Sequence, residues 1–372
     1  MATWFRLPLV TMLVVSFGAP AMAETSSWQQ RVVPAGRAEP KAAARVKSRK
    51  VEPGQTPKQA LGPAKAAAAS RSLGPSTSAT PSEGDAVSDG DAAYVAFDQG
   101  KYLTALTIAA KAAQTGDPQA HTLVARIHAE GLGVSQDAKL AAQWYQRGVE
   151  LGDIEAALGL GTLHARGDGV AQDYAKAAML FEKVAATGHP EGAYNLALLF
   201  LSGKGKPESP HRGFQLMLYA AEKGVTAAMY DFGTLYATGA GTDANAFEAA
   251  KWIGKAANAG HPEAEIEFAI ILLKDHDLPA EQKDKLRNRA TELLRSAATK
   301  GYAIAQNRLA HCYLNGLGTP KDLVAAAQWH LVAKAGGHED APLDKVVAGL
   351  SRGDRQKAIA AAAEWREETL LE

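Results

Sequence analysis

Residues 156–177 read AALGLGTLHARGDGVAQDYAKA, and this stretch decides the fold. In its first half, apolar side chains such as Leu160 and Leu163 recur at intervals of three and four residues, as on one face of an α-helix. Gly167 and Gly169 then interrupt the pattern, and the helical period resumes after them. The stretch therefore predicts two helices joined by a Gly-x-Gly turn.

This hairpin pattern recurs along most of the chain. A single glycine marks the end of each copy, and five of the six intervals between these glycines are 36 residues while one is 41. Self-similarity at a fixed interval is the signature of a repeat array, in which each unit covers the apolar face of its neighbour. The terminal glycines are Gly116, Gly152, Gly188, Gly224, Gly260, Gly301 and Gly337.

Each copy also carries signals for where its two helices, helix A and helix B, begin and end. The first glycine of each Gly-x-Gly pair is predicted to end helix A in the left-handed conformation. Asp137, Asp173 and Asp322 stand where helix B begins, and an aspartate there accepts a backbone N–H. The pairs are Gly131 and Gly133, Gly167 and Gly169, Gly203 and Gly205, Gly239 and Gly241, and Gly316 and Gly318.

The opening stretch resembles the Sel1-like repeat, a 36-residue relative of the tetratricopeptide repeat, through the pattern A-x-x-x-L-G-x-L-x-x-x-G-x-G-V-x-Q-D-x-x-x-A. Trp144, Trp252 and Trp329 extend the resemblance, because they share one position of helix B. The resemblance implies an all-α fold, a right-handed α-α superhelix of Sel1-like and tetratricopeptide-like hairpins. We predict six Sel1-like repeats, at 118–153, 154–189, 190–225, 226–261, 262–302 and 303–338.

Two regions flank the repeats, and one repeat departs from the pattern. A tetratricopeptide-like hairpin is predicted at 91–117, and a pair of capping helices at 339–372. In the fifth repeat Asp275, His276 and Asp277 replace the Gly-x-Gly turn, and five extra residues fall within 278–286. These changes predict that the turn there bulges or bends the superhelix.

The N-terminus carries the pattern of a secretory signal peptide. Arg6 precedes an apolar run over residues 7–17, and Ala21-Met22-Ala23 supplies a site of small residues for cleavage after Ala23. The run is shorter than the ~20 residues of a membrane span. We predict that residues 1–23 are removed on export to the periplasm, with an uncleaved membrane anchor as the alternative.

Residues 24–90 differ sharply from the repeats in composition. They are rich in Pro, Ala and basic residues and poor in bulky apolar ones, which is typical of a disordered linker. Between Arg31 and Arg71 there are ten Lys or Arg and two acids, a net charge of +8. This linker is interpreted either as a solvated spacer or as a contact with anionic envelope polymer or lipid. The formal net charge of the whole chain is +0, which disfavours nucleic acid as a partner.

The sequence offers no arrangement of residues typical of catalysis, so we predict no enzymatic activity and no cofactor. Its one cysteine, Cys312, falls at a core position of helix A and is predicted to be a buried, inert thiol rather than a reactive one. Asp275, His276 and Asp277 have metal-ligand side chains, but neighbours on one turn seldom form a site alone. We therefore predict no metal site.

A binding face is predicted on the A helices, which line the concave side in the tetratricopeptide-like arrays that this chain resembles. Within each helix A, three positions spaced by three and four residues share one face, and they vary between units while the core positions repeat. A merely solvated face is the alternative. The candidate partner-binding residues are Arg126, Glu130, Thr162, Arg166, Asn195, Ser202, Asp231, Thr234, Arg308, His311 and Asn315.

Two functions are consistent with these patterns. The first is a periplasmic protein–protein adaptor or regulator, similar to Sel1-repeat negative regulators of exopolysaccharide production that engage the periplasmic part of a membrane sensor. The second is a cell-envelope accessory protein that associates with peptidoglycan through its basic linker.

Overall fold

A computed structural model describes residues 88–274 and 277–371. These ranges contain sixteen α-helices and no β-strand, which confirms the predicted all-α solenoid of hairpins. The predicted signal peptide, nearly all of the linker, and residues 275 and 276 lie outside the described residues. The helices are α1 (Asp89–Asp98), α2 (Tyr102–Gln114), α3 (Pro118–Glu130), α4 (Ala138–Glu150), α5 (Ile154–Arg166), α6 (Tyr174–Ala186), α7 (Pro190–Ser202), α8 (Pro210–Glu222), α9 (Thr226–Thr238), α10 (Ala246–Asn258), α11 (Pro262–Leu273), α12 (Ala280–Thr299), α13 (Ala303–Asn315), α14 (Leu323–Ala335), α15 (Ala341–Gly349) and α16 (Arg352–Leu371).

The helix boundaries have the causes expected from the sequence. Gly131 ends α3 and Gly167 ends α5, both with the left-handed backbone that favours glycine. The carboxylates of Asp137, Asp173 and Asp322 accept backbone N–H groups at the starts of α4, α6 and α14. We refer to α3, α5, α7, α9, α11 and α13 as the A helices, and to α4, α6, α8, α10, α12 and α14 as the B helices.

The second glycine of each pair joins one unit to the next. Gly205 has φ +71°, and a Cβ there would overlap the backbone of Tyr174 in the preceding B helix. Gly318 approaches the backbone of Arg287 in the same way. Glycine is therefore needed at these positions both for its left-handed conformation and for close contact between units.

Packing within the array is between neighbours and uses small side chains. Each helix contacts the next in the chain, and on the A side α3 also contacts both α1 and α5. Phe181 of α6 is 1% exposed, and its ring lies against Gly161 of α5, where a Cβ would not fit. The core is therefore a series of local clusters along the array and has no single centre.

The fifth unit corrects one expectation. The inserted residues do not form a bulged turn, because α12 begins at Ala280 and runs for 20 residues where the other B helices have 13. Its second half carries the core residues of the unit, among them Leu293 and Leu294. The insertion therefore lengthens a helix at its N-terminal end.

The last two helices close onto α14. The ring centroids of Trp329 in α14 and Trp365 in α16 are 5.8 Å apart, and Gln328 Nε2 donates to the carbonyl oxygen of Ala361 at 3.4 Å.

Cys312 is buried, 1% exposed, and burial raises the pKa of its thiol. The burial of this thiol confirms the core position predicted for Cys312.

Candidate binding surface on the A helices

The predicted binding residues stand at the sixth, ninth and thirteenth positions of the A helices, which we call the A-helix face. A-helix neighbours meet on this side of the array, since Asp231 at a sixth position accepts a hydrogen bond at 2.9 Å from Tyr194 of the preceding A helix. The predicted residues on this face differ in burial, since some are exposed, some are half-buried and some are buried.

Charged side chains are exposed at both ends of the face. Arg126 Nε donates to Glu130 Oε1 at 2.8 Å, and the Arg126 guanidinium lies 4.9 Å from the ring centroid of Phe97 in α1. Arg308 and Asn315 of α13 are exposed as well. These planar, hydrogen-bonding groups suit recognition of a polar partner surface.

The hydroxyl groups on the face point back to their own helices. Thr162, Ser202 and Thr234 are half-buried, and each donates to the carbonyl oxygen four residues earlier, at 3.0, 2.7 and 3.2 Å. Arg166 is also half-buried, and its Nη1 lies 3.9 Å from Asp168 Oδ2. These residues shape the middle of the face, and Arg166 supplies its charge.

Two predicted residues belong to the interior, which revises the sequence-based assignment. Asn195 is 7% exposed, and its Nδ2 donates to the carbonyl oxygen of Glu191 at 2.9 Å. Asp231 is 2% exposed and bonded to Tyr194. The Asp231 bond joins α9 to α7, whereas the Asn195 bond lies within α7, and because both side chains are buried they offer no surface to a partner.

His311 joins the last repeat to α15. Its Nε2 is 2.8 Å from Asp340 Oδ2, which also accepts from Asn307 Nδ2 at 3.0 Å. Burial opposes ionisation of Asp340, but the hydrogen bonds from Asn307 and His311 outweigh it and hold the pKa of Asp340 well below its usual range. His311 therefore has a structural role at the edge of the face.

Sequence reasoning missed a further row, at the second position of the A helices. Glu155 and Glu191 occupy it, and His189 lies between them, with Nε2 2.8 Å from Glu155 and Nδ1 3.2 Å from Glu191. The hydrogen bond that His189 donates to Glu155 raises the pKa of His189 and lowers that of Glu155. Helical spacing in the sequence is sufficient to identify this row, because the second position lies one helical turn before the sixth on the same face.

Two further kinds of site concern metal ions and membranes. Within residues 88–274 and 277–371, no three His, Cys, Asp or Glu side chains come together as metal ligands would. Over the same residues, no helix combines the length and the apolar character of a membrane span. The predicted metal-ligand trio cannot be assessed as a whole, because Asp275 and His276 lie outside the described residues.

Comparison with known proteins identifies the repeats. The Sel1 repeat family model matches residues 118–153, 154–189, 190–225, 226–261 and 303–338, so the unit with the lengthened α12 falls outside the matched segments. A search of curated proteins found no match.

Solved structures with the same repeat are similar to this chain. A Sel1 repeat protein from Oxalobacter formigenes is 25% identical with a TM-score of 0.56, over 68% of this chain and 98% of its own. A protective antigen with an SLR fold from uropathogenic Escherichia coli is 21% identical with a TM-score of 0.42, over 71% of this chain and 72% of its own. Sel1 repeat proteins generally mediate protein–protein interactions and are typically non-catalytic. This chain therefore carries five Sel1 repeats, and it shares the solenoid fold of the Oxalobacter formigenes protein.

Proposed function

We propose that the A-helix face binds a protein partner and that the protein acts as a periplasmic adaptor or regulator. The observation that carries this proposal is that the A-helix face exposes charged side chains at both ends of the array, Arg126 and Glu130 in α3 and Arg308 in α13. A regular scaffold with variable side chains at fixed positions is suited to reading one partner. The periplasmic part of a membrane sensor is the partner we propose.

The test is affinity capture from envelope extract with the chain lacking residues 1–23. A variant with Arg126→Glu, Arg166→Glu and Arg308→Glu should lose the captured partner. The matched control reverses three exposed lysines of the B helices, Lys139→Glu, Lys183→Glu and Lys285→Glu, and should retain it. Equal capture by the two variants would contradict the proposed face.

Export to the periplasm is part of the proposal and rests on the sequence of residues 1–23. A fusion of residues 1–90 to alkaline phosphatase, which is active only after export, should be active in a bacterial host. Replacement of the apolar run by charged residues should abolish that activity. An inactive wild-type fusion would place the protein elsewhere.

A second candidate function rests on the +8 charge between Arg31 and Arg71. In that case the protein associates with peptidoglycan or another anionic envelope polymer and assists an enzyme acting there. Sedimentation with isolated sacculi should then disappear when residues 31–71 are deleted and weaken with added salt. Sedimentation that is unchanged by this deletion would remove the candidate.

A further inference from the structure

The outer surface of α10 carries an exposed apolar groove with a basic rim. Phe247 of α10 is 67% exposed, although it is a large apolar side chain. The groove beside it has a volume of about 290 Å³ and is lined by Phe247, Lys251, Gly254 and Lys255 of α10 and by Phe268 of α11. It lies on the B-helix side, and the inference below does not depend on the A-helix face.

A glycine creates the floor of this groove, which we call the α10 groove. A Cβ on Gly254 would overlap the ring of Phe268, so the ring lies directly on the helix backbone. The corresponding residue in other B helices is larger, as with Gln146 in α4 and Glu182 in α6. The opening is therefore specific to this unit.

The charge on the rim selects for a partner of opposite sign. Lys255 Nζ lies 3.6 Å from the ring centroid of Trp252 and, within the described part of the chain, forms no ion pair. Lys251 is exposed and pairs with Glu248 at 3.0 Å. An exposed ammonium group held over an aromatic ring beside an apolar groove favours a ligand that is acidic at its edge and apolar at its centre.

The C-terminal end of the array shows how a helix packs beside the equivalent of one groove residue, Lys251. Gln328 and Trp329 of α14 occupy the same repeat positions as Lys251 and Trp252 of α10. On α14 those two residues contact α16, through the bond to Ala361 and the Trp365 ring. Trp365 lies in the segment Glu364-Trp365-Arg366-Glu367-Glu368, which has three acidic residues and one basic residue. A helix with an aromatic residue near acidic ones thus packs on the side of α14 that corresponds, on α10, to the edge of the groove at Lys251.

We propose that the α10 groove binds an acidic amphipathic helix of a partner protein, with one aromatic side chain inserted between Phe247 and Phe268. Binding removes the exposed ring of Phe247 from water and places carboxylates beside Lys251 and Lys255. An aromatic anchor in a pocket with a charged rim is the usual arrangement of the residues that dominate binding energy. Recognition follows the helix-in-groove mode.

The probe is a fluorescein-labelled peptide of residues 358–372, AIAAAAEWREETLLE, with net charge −3. Fluorescence anisotropy measures its binding to the chain lacking residues 1–23. Saturable binding is expected, at least about tenfold tighter than that of a peptide with Trp365→Ala, which has the same charge. A peptide whose glutamates are replaced by lysine should not bind. Absence of saturable binding below about 1 mM would overturn the proposal.

Variants of the protein locate the bound peptide. Phe247→Ser and the double variant Lys251→Glu/Lys255→Glu should each weaken binding at least about tenfold. The matched control is Met179→Ser in α6, where a 59% exposed apolar side chain occupies the repeat position of Lys251. This control and the triple A-helix variant should bind the peptide as the wild type does.

Two outcomes would contradict the proposal. Equal affinity for Phe247→Ser and Met179→Ser would mean that the peptide binds the basic linker or displaces α16 from α14. A loss of binding in Met179→Ser would mean that the interaction is not specific to the α10 groove. Because Phe247 is exposed, its replacement should leave the far-ultraviolet circular dichroism unchanged, which excludes unfolding as the cause.

Discussion

The second and fifth units of the array differ in the turn that joins helix A to helix B. In the second, α5 ends at Gly167 and the turn is closed by Gln172 Nε2, which donates to the carbonyl oxygen of Ala165 at 2.9 Å. In the fifth, α11 is followed by Lys274 in an extended conformation, and α12 starts after Pro279 without a side-chain cap. Each of these units is nevertheless contacted in the same way by the unit that follows it. Gly205 of the third unit approaches the backbone of Tyr174, and Gly318 of the sixth unit approaches the backbone of Arg287.

This difference shows that the contact between units is more constrained than the turn between helices A and B. Tyr174 and Arg287 occupy equivalent repeat positions, although α12 has about two extra turns before Arg287. The turn between helices A and B can therefore change in length and sequence, provided that the contact between units is kept. In an array whose units are stabilised by their neighbours, that contact couples the stability of one unit to that of the next.

The largest expected effect tests whether both units share one kind of core. Phe181 and Leu294 occupy the same repeat position and are 1% and 0% exposed. We expect Phe181→Ala to cost about 3–5 kcal/mol and Leu294→Ala about 2–5 kcal/mol in the free energy of unfolding. Urea titration followed by circular dichroism measures both. A cost below about 1 kcal/mol for Leu294→Ala would show that the fifth unit has a separate, looser core.

An intermediate effect is expected at the glycines between units. Gly205→Ala and Gly318→Ala each combine a left-handed backbone with overlap of the preceding helix, and we expect about 3 kcal/mol of destabilisation. Gly152→Ala is the matched control, because its φ is +91° but nothing lies within 4 Å. That control should cost about 1 kcal/mol. Equal costs at all three glycines would show that backbone conformation alone, and not the contact, determines stability.

The smallest effect concerns pH at the junction of the second and third units. The raised pKa of His189 means that its stabilising contribution is complete below the unfolded value of about 6.5 and is lost as the pH rises through the folded value. The lowered pKa of Glu155 makes its contribution present above about 4.3 and lost as the pH falls through the folded value. Both apply between about pH 4.5 and 6.5.

We therefore expect His189→Gln to lower the melting temperature more at pH 5.5 than at pH 8. The difference should correspond to less than about 1 kcal/mol, because the Glu155 side chain is 55% exposed and its interaction is screened by water. The fifth unit has no histidine at this junction, since Tyr302 occupies the equivalent position before α13. Tyr302→Phe should therefore show no such pH dependence, and an equal dependence in both variants would assign the effect to other groups.

The helices of the fold could be predicted from the sequence because each has local causes. The glycines after α3 and α5 and the aspartates before α4 and α6 mark their own helix ends. The bulged turn predicted for the fifth unit is wrong, because that prediction rests on residues 280–286, which are mostly polar and lack an apolar helical period. They instead add solvent-exposed turns to a helix that is already anchored by Leu293 and Leu294.

The binding face was less predictable, because helical spacing gives the side of a helix but not the distance to its neighbour. Asn195 and Arg308 both occupy a sixth position, yet Asn195 is buried and Arg308 is exposed. Whether a side chain at the sixth position is buried or exposed depends on how closely the next A helix approaches, and tertiary packing sets that distance. The α10 groove was missed for a related reason, since the contact between Gly254 and Phe268 joins consecutive units.

The buried position of Cys312 has a practical consequence for labelling. It is the one thiol in the whole sequence, and its low exposure and raised pKa leave very little reactive thiolate at neutral pH. A cysteine introduced on the surface should therefore take up a maleimide dye selectively in the unaltered background. Pairs of dyes placed on distant units would then report the end-to-end distance of single molecules.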